Sequence, residues 1–116
     1  MSLEQQIATW RQLRSDLSGA CHVNRITWLN DVARNGGPAA RAMVPFLTDK
    51  DAGFAAEDAA YVIYAVQLKH CDLESQGPLE ALRWAADRHP DASVRQTATR
   101  YVENLHADSP PKRPCN

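Results

Sequence analysis

Apolar residues never run for long in this chain. The longest unbroken stretch is the eight residues Ala59 to Val66, closed by Asp58 and Gln67, against the roughly 20 that a membrane-spanning helix needs. Excess charge is lacking too: 13 basic side chains face 14 acidic ones, a formal net charge of -1. A general binder of nucleic acid or anionic membrane carries a clear basic excess, so neither class is expected. Cysteine is confined to Cys21, Cys71 and Cys115, an odd and widely spaced set that gives no disulfide framework. Glu4, Gln5 and Gln6 stand where the apolar core of a secretory leader would begin. Together these features lead us to expect a reduced, cytoplasmic protein. There is no Walker loop, dinucleotide fingerprint, His-Glu-x-x-His or serine nucleophile elbow, so no catalytic residues and no cofactor are expected. The 116 residues suit one domain with a modest core.

Glycine is scarce and alanine abundant, five against 18, which tilts the chain to helix. No sustained alternation of apolar and polar residues suggests a sheet. Punctuation divides the chain into about six helices. The first starts at Ser2, with Gln5 placed to close a capping box, and carries Leu3, Ile7, Trp10, Leu13 and Leu17 on one stripe up to Gly19. The second spans His22 to Asn35, with Ile26, Leu29 and Ala33 inward and Trp28 and Val32 on the flanks, and Gly36-Gly37 end it. Pro38 opens the third, which Pro45 should kink or split near Arg41 to Val44. Asp51 is placed to cap the fourth, about Ala52 to Lys69, the most apolar and therefore the central helix. Gly77-Pro78 opens the fifth, which buries Leu79, Leu82, Ala85 and Ala86 and ends at His89-Pro90. The sixth runs from about Asp91 to His106 and buries Val94, Ala98, Val102 and Leu105. Residues 108–116 hold three prolines and no apolar periodicity, which implies a flexible tail after a single domain over 1–107.

Shifting the chain by forty residues lays Gly37-Pro38 on Gly77-Pro78, Asp51-Ala52 on Asp91-Ala92, and Tyr61-Val62 on Tyr101-Val102. Two helices per forty residues is a helical-repeat period. The segment Val44-Pro-Phe-Leu-Thr-Asp-Lys-Asp51 with the alanine-rich helix after it, and Asp91-Ala-Ser-Val-Arg-Gln-Thr-Ala98, resemble HEAT-like repeats. The resemblance covers about Gly37 to Leu105. It implies an all-α fold of three stacked antiparallel hairpins in a right-handed solenoid, the first pair degenerate; a compact helical bundle is the alternative. One position departs from the pattern: Asp58 stands where the later copy has Ala98, unless the register slips to put Ala59 inward.

The pairs Cys21-His22 and His70-Cys71 offer tetrahedral zinc donors. In stacked hairpins, however, they fall about 20 Å apart at 1.5 Å rise per residue, so no metal site is expected. Neither cysteine has a base and an orienting group placed for nucleophilic catalysis. What remains is surface. Asp49, Asp51, Glu57 and Asp58 gather at the entrance to the central helix, and Tyr61 and Tyr64 emerge from the same helix. Carboxylates and tyrosines on a rigid helix suit the docking of a basic protein surface. Alternatively the tyrosines pack on neighbouring helices and the charges cap and solubilise. Arg83, Arg88, Arg95 and Arg100 concentrate in the last pair and offer phosphate contacts or an internal charge network.

These features lead to the expectation of a non-catalytic, cytoplasmic protein-binding module. Size, compartment and the HEAT-like resemblance together suggest a bacterial immunity protein that binds and neutralises a cognate toxin, the partner carrying a basic surface. A nucleic-acid-binding domain using the last arginines, or an enzyme using Cys71, are the alternatives.

Overall fold

The computed structural model describes the backbone at residues 2–16, 22–50, 54–70 and 76–108, and side chains within 2–12, 27–50, 55–68 and 77–105. Among the described residues six helices follow one another: α1 (Leu3–Asp16), α2 (His22–Ala33), α3 (Gly37–Thr48), α4 (Phe54–His70), α5 (Gln76–Arg88) and α6 (Ala92–Asp108). No strand occurs among the described residues.

Short-range chemistry sets the helix ends. At α1 the Ser2 N–H donates to Gln5 Oε1 at 2.9 Å and the Gln5 N–H donates to Ser2 Oγ at 3.2 Å, the reciprocal capping box. At α6 the Ser93 N–H donates to Asp91 Oδ1 at 2.9 Å and the Arg95 N–H to the Asp91 carbonyl at 3.0 Å, so Asp91 is its N-cap. Between α2 and α3 the chain reverses at Gly36, with φ 75° and ψ -143°, a conformation that only glycine adopts without strain. Pro38 sits in the first turn of α3. Pro45 does not split α3: the helix runs continuously through it to Thr48. Proline removes one N–H and crowds one carbonyl a turn earlier. Pro45 is exposed, and the flanking Met43 and Leu47 are fully buried, so packing on both sides holds the helix across the defect.

α4 lies at the centre, packed against α2, α3, α5 and α6. Its Ala56, Ala59, Ala60, Val62, Ile63, Ala65 and Val66 are buried. The small side chains allow neighbouring helices to approach closely, and larger ones from other helices fill the space: Leu29 and Val32 of α2, Met43 and Leu47 of α3, Leu82 of α5, Val94 of α6 and Trp10 of α1. Val102 and Leu105, expected inward, are half-buried at the edge. α3 packs on α5 and α4 on α6, in addition to the sequence-adjacent pairs. Glu57 meets Thr97, and Tyr61 meets Tyr101, so α4 and α6 run parallel with partners forty positions apart. The smallest principal extent is 23 Å, two helices deep at about 10–12 Å each.

α6 continues through Asp108, so the first residue assigned to the tail is helical; the rest of that tail, 109–116, lies outside the described residues. So do Asp51 and the side chains of Leu13, Leu17, Cys21, His22, Ile26, His70 and Cys71.

Candidate functional site

On α4, Glu57, Tyr61 and Tyr64 fall at i, i+4 and i+7, which places them on one face. Each is half-buried, and each is engaged by a neighbouring helix. The Tyr61 hydroxyl donates to Asn30 Oδ1 of α2 at 2.7 Å. Its ring meets Tyr101 of α6 edge-on, with centroids 6.1 Å apart. Tyr64 lies flat on Tyr101 at 4.5 Å and 8°. The Glu57 carboxylate accepts from Ser93 Oγ and, at 3.3 Å, from Thr97 Oγ1. The three rings therefore form one half-exposed cluster across α4 and α6, anchored to α2 at one side and bounded by a hydroxyl-bonded carboxylate at the other.

Tyr101 holds its proton above the ordinary phenol value of 10.0. Burial is the main cause, followed by the neighbouring Tyr61 and, more weakly, by Glu57 and Asp58, while Arg100 pulls the other way. A neutral phenol over the whole physiological range keeps the stack intact.

Asp58 does not join Glu57 on the surface. Asp58 is 3% exposed and accepts a hydrogen bond at 2.9 Å from the Trp10 indole N–H of α1. It points into the core beside Ala59, which is also buried. The forty-residue alignment carries this information, because it sets Asp58 on Ala98, and Ala98 is fully buried too. Asp58 thus anchors α1, whose Trp10 ring also meets Phe46 of α3 edge-on at 5.0 Å, with the Arg11 guanidinium 5.7 Å over the Phe46 ring. Reversing Asp58 to lysine, a change that leaves the fold intact if the residue is on the surface, would instead bury an ammonium in the core. Asp49 is exposed at the C-cap of α3. Asp51 lies outside the described residues. The structure thus brings together Glu57, Tyr61 and Tyr64, and adds Asn30, Ser93, Thr97 and Tyr101. Of the additions, Tyr101 alone carries a sequence signal, as the forty-residue image of Tyr61.

The arginines of the last pair do not make a strip of four free cations. Arg88 lies 3.3 Å from Asp87, and Arg95 Nη1 donates to the His89 carbonyl at 2.6 Å. His89 is fully buried against the Trp84 ring, its Nδ1 accepting the Asp91 N–H at 3.1 Å and its Nε2 without a partner. Among the described residues no cluster of three or more His, Cys, Asp or Glu is placed to hold a metal ion, and no helix is long and apolar enough to cross a membrane. No family model, no curated protein and no solved structure matches this chain.

Proposed function

We propose that this chain is a non-catalytic, cytoplasmic protein-binding module whose helix pairs stack as a short HEAT-like solenoid, and that it serves as a bacterial immunity protein neutralising a cognate toxin. The stacking of α3 on α5 and of α4 on α6, with contacts forty residues apart, supports the solenoid reading. The observation that carries the binding reading is the cluster of Tyr61, Tyr64 and Tyr101. Each ring keeps part of its surface in water while packing fixes its orientation. Tyrosines held in this way offer large contact area with little rotamer entropy left to lose, the usual chemistry of interface hot spots. The carboxylates contribute less than sequence order suggests, since Asp58 is internal and Glu57 is hydrogen-bonded.

The test is protection. The product of the neighbouring reading frame, expressed alone and then with this protein, should be toxic in the first case and tolerated in the second. Tyr64→Ala with Tyr101→Ala should abolish protection while the purified variant keeps its helical circular dichroism. Full protection by that variant, or no effect of the wild-type protein on the neighbouring product, would contradict the reading. Binding through the aromatic contacts should weaken only slightly between low and high salt, unlike a phosphate-binding surface.

A further inference from the structure

An open depression of about 500 Å³ runs along α6, bounded on one side by Ala86 of α5. We propose that it is a docking groove for an extended acidic protein segment about four residues long, whose carboxylates pair with Arg95 and Arg100. The proposal rests on reading the chain as a protein-binding module, and it adds a second contact region and the chemistry of what fills it.

Length comes from helix geometry. Gln96, Arg100 and Asn104 line the groove at i, i+4 and i+8, a span of about 12 Å at 1.5 Å per residue. An extended chain rises about 3.3 Å per residue, so four residues fill that span.

Chemistry comes from the donors. Arg95 is half-buried and is already fixed by its bond to the His89 carbonyl, so its guanidinium waits in one place. Arg100 is exposed, lines the groove and is the chain neighbour of Tyr101 of the tyrosine cluster. Guanidiniums suit carboxylates because both are planar and pair through two bonds. The amides of Gln96 and Asn104 match the alternating N–H and C=O of a peptide backbone.

Glu103 also lines the groove, one turn from Arg100, and it decides between anions. A strand with a phosphate at every step would meet this carboxylate with like charge, and a chain of net charge -1 supplies no surrounding field to offset it. A peptide instead turns a backbone N–H toward Glu103 and keeps its own carboxylates by the two arginines. Thr99 supplies the wall, its hydroxyl already donating to the Ala86 carbonyl at 3.2 Å.

The experiment selects a linear random-peptide library on the wild-type protein, then measures the dissociation constants of the recovered peptides, fluorescein-labelled, for the wild type, Arg100→Glu and Gln96→Ala. The expected result is an acidic consensus whose affinity falls at least about tenfold in Arg100→Glu and less in Gln96→Ala, with amide shifts in nitrogen–proton spectra confined to α6 and the neighbourhood of Ala86. Both positions lie at the surface, and Gln96→Glu replaces Arg100→Glu if that variant fails to fold. A basic or apolar consensus, no consensus, or acidic peptides held equally by Arg100→Glu would overturn the proposal. So would tighter Arg100-dependent binding of a single-stranded oligonucleotide, or Arg100-dependent self-association in sedimentation. If acidic peptides fail while Tyr64→Ala still releases the partner, the groove alone is wrong. If peptides bind the groove and Tyr64→Ala changes nothing, the tyrosine cluster is the part to discard.

Discussion

Asp58 shows how much one side chain can redirect. Beside Glu57 in the sequence it looks like half of a surface acidic pair, yet consecutive residues on a helix point about 100° apart. Glu57 accordingly faces α6, while Asp58 faces α1. What hid this is range: the partner, Trp10, lies 48 positions away, and no local pattern announces such a pair. A buried carboxylate deprived of a donor costs about 1–3 kcal/mol, so Trp10→Phe should lower unfolding free energy by at least that much. A double-mutant cycle with Asp58→Ala should return a coupling of similar size, read by urea denaturation; independent effects would mean the bond contributes nothing. Tyr101 makes a second prediction at this scale. Its raised folded pKa means the native state holds this proton longer than the unfolded chain does. Its contribution is therefore complete below pH 10.0 and lost as pH rises beyond it. Phenolate absorbance should show an ionisation step above pH 10.0 that Tyr101→Phe removes.

At the scale of the element, much was legible in the sequence. The Ser2–Gln5 box, the Asp91 cap and the glycine reversal before Pro38 all depend on neighbours within a few residues, and the structure has each of them. Gly36→Ala should therefore cost about 1–3 kcal/mol, because its φ of 75° with ψ of -143° is closed to a side chain; an unchanged denaturation midpoint would contradict this. Pro45 marks the limit of local rules. Its ring argues for a break in α3, and Met43 and Leu47, sealed in the core on either side, hold the helix together. Pro45→Ala should accordingly keep the helix content and raise stability, since it restores a backbone N–H that the helix can use. The tyrosine cluster was legible only in part. Tyr61 and Tyr64 lie together on α4 by spacing alone, but their contacts with Asn30 and Tyr101 follow from how helices meet, which sequence spacing within one helix does not encode.

Across the whole molecule, α4 touches four other helices, while α1 packs on α2 and sends Trp10 to Phe46 and Asp58. A structure with one shared central helix should lose its parts together. Tryptophan fluorescence and far-ultraviolet circular dichroism should thus give coincident urea transitions, and separate ones would show that the pairs fold independently. The contacts of Glu57 with Thr97 and of Tyr61 with Tyr101 fall at the same offset of forty that lays Asp51 on Asp91 and Tyr61 on Tyr101 in the sequence. Which acidic side chains stay at the surface was not legible, because that depends on which ones distant helices engage, as α1 engages Asp58. The account turns on the tyrosine cluster gripping a protein. Titration calorimetry of the purified protein with the product of the neighbouring reading frame, wild type against Tyr64→Ala, tests it most directly. The account predicts affinity at least about tenfold weaker for the variant with its helical signal unchanged. Equal affinity for the two proteins would contradict it.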